Sequence, residues 1–359
     1  MAKKQPKTKE LNILPFVDIF DAALASDNAR EFKARDYIYA SEVGMGFYDR
    51  YLSMKGVQPS NLPNEIALRK FKLGALIEDF FKLVLYEIGL LHSQEERVMS
   101  NFGFGCEVSG RLDVLYGGKW DIKELDLVME KLYFLDFMGV LSKAIRKFAE
   151  DNKKANYDIC GLEIKSTSDI MFNRIEARDY PEPHHGCQTF HYAFHKKIPF
   201  QLVYFDKNNA RMKVFWILPS NTEWYQVYMT DIRQMSEYYL TNTVPPKEKL
   251  INFDGEKFST NWRVEYSKYL TAEYGFNTKM EYKDYATPIV GRWNRVMARI
   301  KEGKVLTPDN LLAIGEMRKF GFEIKLENTS ETIDVEHEEI VDKKASSTDK
   351  LNNLKNLLG

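Results

Sequence analysis

Hydrophobic residues recur at helical spacing in the first strongly patterned segment of the chain. Between positions 64 and 91 the repeating apolar residues are Ile66, Phe71, Leu73, Ile77, Phe80, Phe81, Val84 and Ile88. Asn64 follows Pro63 and is a good N-cap residue. The pattern predicts one long helix from Asn64 to Leu91.

Farther along the chain, short apolar stretches between turn residues predict strands. They cover residues 103–107 and 109–116, expected to form a hairpin pair with Gly117-Gly118 as a turn, then 157–166, 200–205 and 212–218. The last two are expected to pair across Asn208-Asn209. Helical patterns cover residues 123–151, 188–195, 223–239 and 287–320. This order predicts an α/β fold with a mixed central sheet flanked by helices.

Shifts in composition predict the domain boundaries. Residues 1–12 form a disordered basic arm, 13–325 the main domain, 326–347 an acidic linker and 348–359 a short amphipathic tail helix. Within the main domain, residues 120–152 are a helical insert and 280–325 a helical C-terminal addition. The leucine face of the tail either docks in the groove of a protein partner or belongs to a frayed end.

Bulk composition leaves the function open. The chain has 359 residues, 44% of them hydrophobic, and a formal net charge of −1, which neither indicates nor excludes a local basic groove. Three cysteines without a CxxC pair predict reduced thiols and a cytoplasmic protein. We expect no membrane association, because no apolar run has the length of a span. Without a GxxxxGK[ST] sequence, we expect no ATP cofactor.

The candidate chemistry begins with an acidic residue in an apolar strand. Asp113 follows Gly110-Arg111-Leu112, and burying such a carboxylate without a partner is costly. Glu163 and Lys165 repeat the anomaly two positions apart on one strand, so their side chains share a face. The residue between them, Ile164, faces the core and has a carbonyl that can serve as a ligand. Two carboxylates and a lysine suit hydrolysis of a phosphodiester with Mg²⁺ or Mn²⁺.

Taken alone, an ExK triplet on a strand fits a buried salt bridge equally well. Two further pairs at helical spacing favour chemistry. Gln188 and Tyr192 form a QxxxY motif on a helix after the ExK strand, and both can hydrogen-bond to a phosphate or a water. Upstream, Glu78 lies in an apolar setting four residues after Gly74 on the long helix.

The candidate residues follow one another in the order Glu78, Asp113 in GRLD, Glu163-Ile164-Lys165 and QxxxY. With this order of motifs, the sequence resembles the RecB-type and lambda-exonuclease-type nucleases of the PD-(D/E)xK superfamily over residues of about 38–270. The resemblance implies a PD-(D/E)xK nuclease core. It implies that Asp113 and Glu163 bind metal and that Glu78 stands in a metal-binding position. It also implies that Lys165 is catalytic and that Gln188 and Tyr192 contact substrate or water.

The function that the resemblance implies is metal-dependent hydrolysis of single- or double-stranded DNA. An exonuclease of recombination, repair or replication, phage-encoded or accessory to another enzyme, is the leading interpretation. The alternatives are a structure-specific endonuclease and a non-catalytic module that binds nucleic acid or a replisome protein on a nuclease fold.

The sequence also resembles an iron–sulfur subgroup of AddB-like nucleases, in the segments Ser41–Arg50 and Asn261–Tyr269. Gly46, Val264 and Ser267 stand where that subgroup has cysteines. Because thiolates hold such clusters, we expect no iron–sulfur cluster, and apolar packing between these segments instead.

Three more side chains are candidates for substrate binding. His185 precedes the QxxxY motif and either contacts phosphate or is a hydrogen-bonded loop residue. Arg174 and Arg178 lie four residues apart after the ExK strand and either bind the DNA backbone or form a solvated helical face.

Overall fold

A computed structural model describes residues 32–87, 90–119 and 156–324, together with residues 21, 22, 24, 25 and 147. The described strands are β1 (Tyr37–Tyr39), β2 (Leu91–Gln94), β3 (Arg97–Asn101), β4 (Glu107–Arg111), β5 (Val114–Lys119), β6 (Asn156–Thr167), β7 (Phe200–Asp206), β8 (Met212–Ile217), β9 (Ile251–Phe253) and β10 (Phe258–Thr260). The described α-helices are α1 (Phe47–Met54), α2 (Glu65–Glu87), α3 (Asp169–Arg178), α4 (Pro183–Lys196), α5 (Thr222–Leu240), α6 (Trp262–Glu265), α7 (Leu270–Tyr274), α8 (Lys279–Lys301) and α9 (Pro308–Lys319).

The larger sheet has five strands in the order β2-β5-β6-β7-β8. Only the β6–β7 pair is parallel among these neighbours, and α3 and α4 form the crossover that a parallel connection requires. The predicted pairing of the last two strands is confirmed, because β7 and β8 pair antiparallel with Val203 opposite Val214.

Helices cover both faces of this sheet. On one face, Leu162 and Ile164 of β6 pack with Val114 and Val203 against Phe81 and Leu85 of α2. On the other face, Phe200, Leu202 and Tyr204 of β7 join the main core with Phe190 and Tyr192 of α4. The prediction of a mixed sheet flanked by helices is therefore confirmed.

A smaller sheet has three strands in the order β1-β4-β3, with β1 parallel to β4 and β3 antiparallel to it. Its strands continue into the larger sheet: β3 follows β2, and β5 follows β4. Two backbone hydrogen bonds connect the two chain segments at this bend, Glu95 N to Asp113 O at 3.2 Å and Leu112 N to Glu96 O at 3.0 Å. Asp113 thus lies where one long bent hairpin passes from one sheet to the other.

The predicted hairpin between residues 103–107 and 109–116 is wrong. Residues 107–111 pair with 97–101, and the turn lies between them, where Gly103 and Gly105 have φ of 77° and 94°. Gly117-Gly118 is not a turn either but part of β5, at an irregularity in its register with β6. The Gly117-Gly118 pair suggested a turn, but the strand that pairs with residues 107–111 lies before them in the chain.

The long helix predicted from Asn64 is present as α2. Asn64 accepts a hydrogen bond from Ala67 N at 3.0 Å, as an N-cap does. The helix ends at Glu87, and Leu91, its predicted last residue, begins β2.

The chain divides into two compact units, residues 1–254 with 258–290, and residues 255–257 with 291–359. In the second unit Trp293 is buried and its ring contacts Phe320 and Phe322, at centroid distances of 5.2 and 5.9 Å. The predicted arm (1–12), linker (326–347) and tail helix (348–359) lie outside the described residues, as does the insert 120–152 except for Lys147. No helix in the described ranges combines the length and apolarity needed to cross a membrane.

Candidate active site

Asp113 lies at the point where two strands separate. The register between β5 and β6 ends with Val114 opposite Leu162, and beyond it β4 belongs to the smaller sheet. The Ile164 N–H therefore donates to the side chain of Asp113, at 2.9 Å from Oδ2. In a strand, the N–H and C=O of one residue point to the same edge, so the Ile164 carbonyl also points toward this opening.

Glu163 and Lys165 lie on the other face of β6 from Ile164. Glu163 is fully buried and accepts an ion-paired hydrogen bond from Lys165, with Nζ 2.6 Å from Oε1. The second oxygen of the same carboxylate, Oε2, is buried and has no hydrogen-bond partner among the described residues. An unpartnered oxygen on a buried carboxylate is costly, so the salt bridge leaves this group only half satisfied.

The electrostatics of the site disfavour two negative charges. Burial, and after it the charge of Glu163, raises the pKa of Asp113 well above its usual value. Burial also raises the pKa of Glu163, against the opposing effect of Lys165. For Lys165, burial acts to lower the pKa, but the carboxylates of Glu163 and Asp113 outweigh it and the pKa is raised. The lysine therefore stays protonated, but its charge does not outweigh the effects of burial and Glu163 on Asp113, whose pKa remains raised.

The QxxxY pair supports the end of β4. Gln188 Nε2 donates to the Tyr192 hydroxyl at 3.2 Å, and that hydroxyl donates to the carbonyl of Arg111 at 3.0 Å. A Cβ at Gly110 would lie 2.5 Å from the Tyr192 ring and 2.9 Å from Cβ of Ala40, so only glycine fits there. The tyrosine and the glycine together hold the strand that leads into Asp113.

Glu78 faces the same cleft but is held in an ion-pair network. Lys82 donates to both Glu78 and Glu95, and Arg111 Nε lies 2.6 Å from Oε2 of Glu95. Sequence reasoning did not single out Glu95, Lys82 or Arg111. Two features of the sequence could have indicated them. Lys82 lies four residues after Glu78, and the Glu95-Glu96 pair lies between two apolar stretches.

These groups surround a cleft of about 550 Å³. Its lining comprises Tyr37, Tyr39, Ser41, Glu78, Glu95, Arg97, Ser109, Gly110, Arg111, Asp113, Gln188 and Tyr192. Of the residues predicted to act on metal or substrate, the cleft contains Glu78, Asp113, Gln188 and Tyr192. Glu163 and Lys165 are not among its lining residues, but both interact electrostatically with Asp113.

The other predicted substrate-binding residues are engaged elsewhere or exposed. Arg178 donates to the carbonyl of Tyr180 at 2.6 Å and to Glu182 at 2.7 Å. The ring of His185 is hydrogen-bonded to the Tyr204 hydroxyl at 2.9 Å, and burial lowers its pKa well below the usual value. Arg174 is exposed on α3. None of the three is among the residues that line the cleft.

Polar contacts connect the two segments that resemble the iron–sulfur subgroup. Arg263 donates to the Gly44 carbonyl at 3.2 Å, and Gly44 N donates to Asp231, which also pairs with the buried Arg50. The contact between the two segments that these hydrogen bonds describe, Arg263 to Gly44, is polar, whereas the expectation named only apolar packing. All three cysteines are buried free thiols.

The oxygen donors of the site fit a divalent cation that takes only a few of its ligands from the protein. Within the described ranges, no three or more His, Cys, Asp or Glu side chains form a group that could hold a metal ion. Two carboxylates and a backbone carbonyl nevertheless suffice for Mg²⁺, which keeps several of its waters. The unpartnered Oε2 of Glu163 and the mutual repulsion of Glu163 and Asp113 are the features that a cation would satisfy.

Fold and site thus define a mixed α/β protein in which a half-buried Asp113 in one cleft interacts with a fully buried Glu163 and its paired lysine. No protein-family model matches the chain, and no curated protein matches its sequence. Among solved structures, a protein called SSO0001 is 15% identical with a TM-score of 0.38, over 71% of this chain and 94% of its own. An alkaline exonuclease (LHK-Exo) from Laribacter hongkongensis is 12% identical with a TM-score of 0.34, over 63% of this chain and 97% of its own. At these values the similarities assign neither a family nor an activity to this chain.

Proposed function

We propose that this chain is a Mg²⁺- or Mn²⁺-dependent nuclease that hydrolyses phosphodiester bonds of DNA. The observation that carries the proposal is the buried, unpartnered Oε2 of Glu163 beside Asp113 and Lys165 at the cleft. In a purely structural salt bridge, a buried carboxylate would have its remaining lone pairs satisfied by other donors. A half-satisfied carboxylate next to a second one is better explained by a cation that completes it.

Each residue has a role in this proposal. Asp113, Glu163 and the Ile164 carbonyl would hold the divalent cation, which when bound polarises the phosphate and lowers the pKa of a water. The Lys165 ammonium donates hydrogen bonds to the attacking water or to the phosphate oxygens as negative charge grows on them. Water loses a proton and forms the new O–P bond, and the bond from phosphorus to O3′ breaks. The leaving O3′ takes up a proton from solvent, so the products are a 3′-hydroxyl and a 5′-phosphate.

Gln188 and Tyr192 would contribute mainly by position. Tyr192 is buried, and its hydroxyl donates to the Arg111 carbonyl, so it fixes the strand that precedes Asp113. Gln188 lines the cleft beside it. A group 1 Å out of place can cost about a hundredfold in rate, so this support bears directly on catalysis.

Within the nuclease class, an exonuclease of recombination, repair or replication remains the leading proposal. It follows from the order of the motifs in the sequence and not from a measured geometry. Arg174, Arg178 and His185 would take part only along a DNA path outside the cleft.

The test is cleavage of end-labelled linear and closed circular DNA, single- and double-stranded, in Mg²⁺, Mn²⁺ or EDTA. We expect metal-dependent degradation, at least about a hundredfold slower for Lys165→Ala because the charge that develops in the transition state loses its donor. Protection of the circles would identify an exonuclease, and cutting of circles an endonuclease.

Two further variants serve to interpret the result of the cleavage assay. Lys213→Ala removes a lysine of similar exposure on β8, paired with Asp179, and should cut like the wild type. Asp113→Asn can still accept the Ile164 hydrogen bond, so it tests the site even where Lys165→Ala folds poorly. Wild-type protein that binds these DNAs but cuts none of them in either metal would replace the proposal with a non-catalytic binding module.

A further inference from the structure

A group of aromatic and basic side chains lies on one face of the three-stranded sheet. Tyr37 and Tyr39 are two apart on β1 and share a face, and Tyr39 is opposite Ser109 of β4. Arg111 is two residues beyond Ser109, and Arg97 of β3 is opposite it. We call Tyr37, Tyr39, Arg97 and Arg111 the sheet-face patch. All four line the cleft that contains Asp113.

The two arginines of the patch are an unfavourable pair without an anion. Residues directly opposite in an antiparallel sheet have Cβ atoms about 5 Å apart, and like charges there are destabilising. Both side chains are exposed, and Arg111 remains 72% exposed although Glu95 binds its Nε. Glu95 also binds Lys82, and among the described residues no carboxylate is paired with Arg97. A phosphate between the two guanidinium groups would remove their repulsion.

The Tyr39 ring is fixed as a platform. The guanidinium of Arg35 lies 4.0 Å from the ring centroid, and Arg35 is itself held by Glu42 at 2.6 Å and the Tyr37 carbonyl at 3.0 Å. The Tyr37 ring meets Tyr39 edge-on at 5.2 Å, and the two hydroxyls are 3.2 Å apart. Even so, 41% of Tyr39 is exposed. A large aromatic side chain that is held in place but left open is suited to stacking against a ligand.

We propose that the sheet-face patch binds an unpaired nucleic-acid strand, with bases stacked on Tyr39 and Tyr37 and phosphates held by Arg97 and Arg111. Stacking on ring faces requires unpaired bases, because in a duplex each base is already stacked on its neighbours. The inference rests on the proposed nuclease function in one respect, namely that the strand continues to Asp113. It names the substrate class of that site as DNA with a single-stranded end.

The test uses the full chain in EDTA, so that binding is measured without cleavage. Fluorescence anisotropy would give Kd for three probes: a short labelled oligothymidylate, an abasic strand of the same length and a blunt duplex of the same length. We expect the oligothymidylate to bind most tightly. Tyr39→Ala should weaken its binding at least about fivefold while leaving the abasic strand unchanged, and Tyr39→Phe should behave like the wild type.

The arginine variants should change Kd in a different way from the tyrosine variant. Arg97→Ala and Arg111→Ala should weaken the oligothymidylate and the abasic strand alike, and each should lower the salt dependence of log Kd by about one unit of slope. Tyr266→Ala, an exposed tyrosine on another part of the chain, and Arg233→Ala on α5 are the matched controls and should change nothing.

Two results would overturn the inference. One is duplex binding as tight as oligothymidylate binding, and the other is an equal loss on the abasic strand in Tyr39→Ala. Because binding is measured in EDTA and does not depend on cleavage, failure of the nuclease proposal is separable: strand binding without cleavage leaves the patch in place and removes only the reaction.

Discussion

At the scale of single residues, the surroundings of Asp113 disfavour the ionised form of its carboxyl group. Burial and the charge of Glu163 raise its pKa, so keeping it ionised near neutral pH costs folding free energy. The Ile164 N–H donates to this carboxylate at 2.9 Å, and the amide oxygen of asparagine can accept the same bond. The proposed function therefore opposes stability at this residue.

The first prediction concerns Asp113→Asn in EDTA at neutral pH. The variant should be more stable than the wild type by at least about 1 kcal/mol, since one unit of pKa shift corresponds to about 1.4 kcal/mol. Urea unfolding with both proteins in EDTA measures the difference. Asp158→Asn, an exposed carboxylate on β6, is the matched control and should have little effect. A destabilised Asp113→Asn protein would show that the carboxylate is a structural group.

At the scale of elements, α4 holds the buried His191 and the half-buried His184 in the neutral form. Burial lowers the pKa of His191 to about 3 and that of His184 to about 4. The ring of His191 is hydrogen-bonded through Nδ1 to the Tyr228 hydroxyl of α5, at 2.7 Å. An unfolded histidine has a pKa near 6.5, so below that pH the unfolded chain binds more protons than the folded one.

The second prediction follows from this difference. Stability contributed by neutral His191 is complete above about pH 6.5 and is lost as pH falls toward the folded pKa of about 3. The slope is at most about 1.4 kcal/mol per pH unit for each such histidine. His191→Gln, which can still bond to Tyr228, should flatten the acid limb of the unfolding free energy, whereas exposed His92→Gln should leave it as in the wild type. Parallel acid limbs in all three proteins would contradict the prediction.

At the scale of the whole molecule, the proposed cation site connects segments far apart in the chain. Asp113 comes from the bend between β4 and β5, and Glu163 from the centre of β6, with the predicted insert between them. A ligand that binds only the folded arrangement stabilises it by mass action. Occupancy of the site should therefore be visible in global unfolding, without any assay of activity.

The third prediction is that Mg²⁺ raises the melting temperature of the wild type and EDTA reverses the shift. At a hundred times Kd, the stabilisation is about 2.7 kcal/mol. Asp113→Asn should lose most of the shift, and potassium chloride at matched ionic strength should not reproduce it. An equal Mg²⁺ shift in both proteins would place the cation elsewhere.

Several features of this protein were accessible from sequence because they are local. Helix α2 and its Asn64 cap, the β7–β8 pairing and the shared face of Glu163 and Lys165 follow from periodicity and turn chemistry within short windows. The mixed sheet flanked by helices followed from the order of these elements. Each signal is physical in origin, since side-chain period and capping act over a few residues.

Other features depended on contacts between distant segments, which no local pattern specifies. The hairpin partner of β4 is β3, and the strands bend between two sheets, neither of which the turn signal at Gly117-Gly118 indicated. The same bend takes β4 away from β6, turns the Asp113 carboxylate to the Ile164 N–H and brings Arg97, Arg111 and Tyr39 to one face. Sequence alone determined which residue types were available for chemistry. Only the tertiary structure decided which of them meet, because strand pairing is set by burial across the whole core and not by neighbours in the chain.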